Sequence, residues 1–101
     1  MSDPELARLR EQIAAVDREV LDALNRRLAL VRLVAEHKSE TGAPAIDARR
    51  EAELLTSLAA VNTGPLSERG VRTAFSALLD VMKQELRTDR SAADTSGARP
   101  R

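Results

Sequence analysis

Cysteine, tryptophan and tyrosine are absent from the 101 residues, and Phe75 is the only aromatic side chain. Without cysteine there is no disulfide, no zinc–thiolate site and no thiol nucleophile. A single aromatic gives no platform on which nucleobases could stack. One histidine, His37, excludes a multi-histidine metal site, although carboxylates could still hold a hard cation. Charge of one sign is also missing, because 16 Lys+Arg balance 16 Asp+Glu. That balance argues against nucleic acid as the main partner, since such domains carry a net basic face. No apolar run approaches the roughly 18 residues of a membrane span, so no membrane partner is expected. The start, Met1-Ser2-Asp3-Pro4-Glu5, lacks the basic and apolar segments of a signal peptide. These features predict a cytoplasmic protein of one domain.

Glycine and proline are scarce as well, at four each. None falls between Pro4 and Gly42, and that stretch is rich in Ala, Leu, Arg and Glu, which favour helix. Leu6, Leu9, Ile13, Val16, Val20, Ala23, Arg27, Leu30 and Val34 are spaced alternately by three and four. This is a heptad seam, and it predicts one helix over about 4–40. Asp3 before Pro4 suits its start. Gly42-Ala43-Pro44 should break it. Asp47 can cap a second helix to about Val61, and Asn62-Thr63-Gly64-Pro65 forms the next break. A third helix is expected from about Ser67 to Arg87, with Val71, Phe75, Leu78, Leu79, Met82 and Leu86 as its apolar stripe. Residues 1–87 thus form an all-α three-helix domain, and the small, polar residues 88–101 are expected to be a disordered tail.

A helix of about 37 residues spans roughly 55 Å, whereas a 100-residue domain has a radius of gyration near 13 Å. The long helix outreaches what its own chain can build. Its seam therefore predicts an obligate homodimer of paired long helices.

Most charges belong to solvated helix faces, but a few do not. Arg27 sits in the seam itself, seven residues from both Val20 and Val34. Lys38 follows eleven residues later, close to three turns, so the two cations share a face. They either snorkel to the rim or meet anionic partners, because burying unpaired cations costs several kcal/mol. Arg10 is rotated by about 100° from Arg27 and could reach the same cluster only from a neighbouring chain. Asp47 and Glu51, four apart, head the stripe of Leu54, Leu55 and Leu58, with Arg50 one position off. Asp47 is equally suited to a helix cap, and Arg50 with Glu51 to a surface ion pair.

There is no Ser–His or Cys–His nucleophile pair and no Gly-rich phosphate cradle. Arginines suit bidentate binding of a small dicarboxylate, and a lysine can stabilise an oxygen that becomes negative. Carboxylates can accept from a substrate hydroxyl. Such a set would work by orientation and electrostatics, which suits unimolecular rearrangement of a small dianion.

Leu9-Arg10-Glu11-Gln12-Ile13, Val16-Asp17, Arg26-Arg27, Lys38 and Asp47-Ala48-Arg49-Arg50-Glu51 stand in order at spacings that resemble the all-helical, AroQ-type (type II) chorismate mutases. The likeness covers about residues 4–87. It implies an intertwined homodimeric bundle that turns chorismate into prephenate by a Claisen rearrangement, without a cofactor, in aromatic amino-acid biosynthesis. It further implies that Arg10 reaches in from the partner chain to one substrate carboxylate and that Arg27 binds the other. Lys38 would contact the ether oxygen and a carboxylate, Asp47 and Glu51 the substrate hydroxyl, and Arg50 would support the site.

The third helix departs from that family. Positions seven and eleven after Phe75, where it usually has Ser and then Gln or Glu, are Met82 and Leu86. These would line the pocket without a donor to the ether oxygen, unless a shifted register turns Gln84 or Glu85 inward. The coherent stripe favours the unshifted register. Three readings follow: chorismate mutase; a mutase or lyase for an analogue (4-amino-4-deoxychorismate, isochorismate); or a non-catalytic dimerising regulatory module. An activating partner enzyme is compatible with the first.

Overall fold

The computed structural model describes residues 3–42 and 47–98, with side chains over 3–42 and 47–91. Three helices account for nearly all of them: α1 (Pro4–Thr41), α2 (Ala48–Val61) and α3 (Glu68–Ala98). No strand occurs among the described residues.

Each boundary has a local cause. Asp3 Oδ1 accepts from the backbone N–H of Glu5 at 2.9 Å and of Leu6 at 3.3 Å, which satisfies donors that α1 cannot. At its other end, Gly42 takes φ +77°, a left-handed value that terminates helices and is strained for residues with a Cβ. Asp47 lies outside the helical region (φ −131°, ψ 97°) and caps α2. After Val61 the chain is held by Asn62, whose Nδ2 donates to the Leu66 carbonyl at 2.7 Å while its Oδ1 accepts from Gly64 N–H at 3.1 Å. Ser67 Oγ accepts from Gly70 N–H at 2.9 Å and starts α3. Ala43 and Pro44 of the expected break lie outside the described residues.

The chain divides into two compact units, Met1–Glu36 and His37–Arg101. The first is a single helical rod. No residue of α1 is buried. The apolar members of its seam are exposed, from 43% at Leu6 and Leu9 to 62% at Leu30.

In the second unit α2 packs on α3. Its buried core is Val71, Leu79 and Met82, all on α3 at helical spacing. Leu54, Leu55 and Leu58 form the half-buried face of α2, with Glu51 at its head. The apolar stripe of α3 thus takes the unshifted register.

One boundary differs from expectation. The third helix does not stop near Arg87 but continues to Ala98. The apolar stripe ends at Leu86, yet no proline or glycine interrupts the chain until Gly97, and Ala92 and Ala93 favour helix. Loss of amphipathicity marks where packing ends, not where helical backbone ends.

Candidate active site

The cationic candidates all sit on α1. Arg10 is exposed in its first third. Arg27 and Lys38 are both half-buried, as are Val31 and Ala35 between them, whereas Leu30 and Val34 of the seam are exposed. Lys38 also occupies the last turn of α1, where a cation interacts favourably with the helix C-terminus. Its carbonyl accepts from Thr41 Oγ1 at 3.2 Å. Among the described residues, no ion pair or side-chain hydrogen bond engages the heads of Arg10, Arg27 or Lys38. Among the described residues these cations have no anionic partners of their own.

The acidic candidates belong to the start of α2. Asp47 is exposed, and its Oδ1 accepts from the Arg50 backbone N–H at 3.1 Å. Its capping role is therefore realised, and the bond leaves part of the carboxylate open to a ligand. Arg50 is exposed, and its guanidinium does not pair with Glu51. Glu51 instead crosses to α3, where Lys83 Nζ lies 2.8 Å from its Oε1. The two side chains are only 26% and 25% exposed. The expected Arg50–Glu51 surface pair is replaced by a half-buried pair between helices.

Lys83 was missed by sequence reasoning. It is one residue past Met82, on the flank of the apolar stripe, and nothing in the periodicity of α3 singles it out. A signal existed only in combination, because half-buried Glu51 needs a cation and α3 offers few.

Of the polar residues near the stripe of α3, Gln84 is exposed. Its Oε1 accepts from Arg87 at 2.9 Å and its carbonyl from Thr88 Oγ1 at 3.1 Å. It is committed along its own helix. Glu85 and Leu86 are half-buried, and Met82 is 4% exposed. His37 is exposed.

Two open hollows lie elsewhere. One, of about 400 Å³, follows the seam of α1 along Leu9, Gln12, Ile13, Val16 and Asp17. The other, of about 480 Å³, lies on α2 along Arg49, Ala52, Glu53, Thr56, Ser57 and Ala60. Neither is bordered by Arg27, Lys38 or Glu51. Among the described residues no cluster of His, Cys, Asp or Glu could hold a metal, and no helix is long and apolar enough to cross a membrane.

Residues 9–86 match the family model of chorismate mutase type II. The chain belongs to that family. The family is one of isomerases acting on a small molecule. Its fold is similar to that of chorismate mutase from Thermus thermophilus in two forms. Form II gives a TM-score of 0.77 at 31% identity, covering 79% of this chain and 91% of that one. Form I gives 0.76 at 32% identity, covering 77% and 98%. A stretch of 53 residues is 49% identical to a T-protein of Enterobacter agglomerans, which is 52% of this chain but 14% of that protein. The chain thus corresponds to a small part of that curated relative. In chorismate mutase terms, the matched segment contains Arg10, Arg27, Lys38, Asp47, Arg50, Glu51, Met82, Lys83 and Leu86.

Proposed function

We propose that this chain converts chorismate to prephenate, an early step of aromatic amino-acid biosynthesis, in a site shared by two copies. The observation that carries the reading is the ordered set Arg10, Arg27, Lys38, Asp47, Arg50 and Glu51, all within the segment that matches the family. Arg27 and the partner's Arg10 each bind a carboxylate of the dianion. Lys38 stabilises the negative charge that grows on the ether oxygen as its C–O bond breaks. Asp47 and Glu51 engage the ring hydroxyl, one of them accepting its single proton, and Arg50 supports them. The rearrangement is unimolecular, so the enzyme's work is to hold the enolpyruvyl arm folded over the ring and to favour the polarised transition state.

A second copy is supported by α1 itself. Its seam is apolar yet exposed along its length, and the family is typically dimeric. Among the described residues the heads of Arg10, Arg27 and Lys38 have no ion-pair partner, which suits a site whose anion is the substrate. The mutase domain is taken as residues 1–87, with the rest of α3 beyond it, because the stripe and the family match both end at Leu86.

One observation favours a variant of this reading. Met82 and Leu86 give α3 no donor for the ether oxygen, which suits a slower mutase or one for an analogue. Losing such a donor costs about 2.7–4 kcal/mol of transition-state stabilisation. The test is direct: mix the purified chain with chorismate, follow its ultraviolet absorbance, and convert product to phenylpyruvate with acid. Prephenate formation supports the proposal. A folded dimer that leaves chorismate intact contradicts it.

A further inference from the structure

The Glu51–Lys83 pair bears on which substrate this site can accept. A carboxylate that receives a ring hydroxyl is also the place where a site tells hydroxyl from amine. An unneutralised carboxylate binds an ammonium more strongly than a hydroxyl, because the bond is then charge-assisted on both sides. Glu51 is not unneutralised: Lys83 Nζ is 2.8 Å from Oε1, which leaves Oε2 as the oxygen for a ligand. An ammonium donating to Oε2 would come within about 5 Å of the lysine ammonium, close enough for strong like-charge repulsion. A neutral hydroxyl meets no such penalty. Because both side chains are about three-quarters buried, salt and water screen the effect only in part.

Asp80 does not cancel the lysine charge. Its Oδ1 is 4.0 Å from Nζ, and its side chain is 79% exposed. Such contacts between exposed groups contribute little.

We infer that Lys83 tunes specificity: it neutralises Glu51 while Asp47 at the same hydroxyl keeps its charge, and so lowers the site's affinity for an ammonium in that place and favours the hydroxyl-bearing chorismate. This rests on the reading of Glu51 as a hydroxyl-binding residue. Lys83 acts through Glu51 and is a positioning residue.

The experiment compares kcat/KM for chorismate and for 4-amino-4-deoxychorismate in the wild type and in Lys83→Arg, Lys83→Gln and Lys83→Met. The wild type should prefer chorismate. Lys83→Arg keeps the charge and should keep the preference. Both neutral variants should shrink the ratio about tenfold or more, chiefly through a lower KM for the amino substrate, tenfold being about 1.4 kcal/mol. Thermal melts establish that each variant is folded, and Lys83→Met retains an unbranched apolar stem should Lys83→Gln fail. Equal slowing on both substrates would mean a structural brace only and would overturn the inference. A wild type that prefers the amino substrate overturns it without any variant. A wild type inactive on both overturns the functional reading first, and this inference with it.

Discussion

Asp47 Oδ1 accepts the Arg50 backbone N–H at 3.1 Å, so a residue proposed to bind substrate also caps the helix that carries Glu51. Stability and binding are joined in one carboxylate, and substitutions separate them. Asp47→Asn retains a cap of similar strength, whereas Asp47→Ala removes it at a cost of about 1 kcal/mol. We expect Asp47→Asn to melt near the wild type yet lower kcat/KM, and Asp47→Ala to lower both. Unchanged kinetics in Asp47→Asn would assign Asp47 to capping alone.

Arg27 presents the opposite case. Arg27 is half-buried and has no ion-pair partner among the described residues, so folding gains little from its charge. Arg27→Leu should keep or raise the melting temperature while abolishing turnover. A large drop in melting temperature would show that Arg27 is structurally paired.

The helices were legible because local chemistry decides them. Nothing between Pro4 and Gly42 interrupts α1, and Asp3, Asp47 and Ser67 announce their helices as side-chain acceptors. The end of α3 was not legible, since the sequence marks the end of its apolar stripe at Leu86 and carries no breaker there. Glu51–Lys83 was hidden for another reason: periodicity describes one helix at a time, and this pair joins two helices distant in sequence. The α1 cations could be placed on their faces, but a seam position alone does not say whether Arg27 finds a partner.

The exposed seam of α1 gives a prediction about assembly. Ile13 and Val20 are 60% and 50% exposed, and pairing with a second copy would cover such positions. Sedimentation equilibrium should find dimer at micromolar concentration. Val20→Asp, which places like charges at a symmetric interface, should dissociate it and stop turnover. A folded wild-type monomer under those conditions would refute the shared site.

Leu86 offers a gain-of-function test. It is half-buried, unlike Met82 at 4% exposure, so a polar replacement is tolerated there with less loss of core. Leu86→Gln should supply the missing donor and raise kcat, by up to about 10²–10³-fold if the bond is fully formed. Unchanged kcat in a folded variant would show that Leu86 does not face the ether oxygen.

In the proposed dimer each site takes Arg10 from one chain and Arg27 with Lys38 from the other. Chorismate turnover by mixed dimers tests it most directly. Arg10→Ala and Lys38→Ala chains should each be nearly inactive alone. Co-refolded in equal amounts, they form mixed dimers in which one site carries both defects and the other carries neither. Recovery of about a quarter of wild-type activity is expected, from half the dimers having one intact site of two. No recovery, with mixed dimers verified by mass, would place Arg10 and Lys38 in the same chain's site and rule out a site shared between chains.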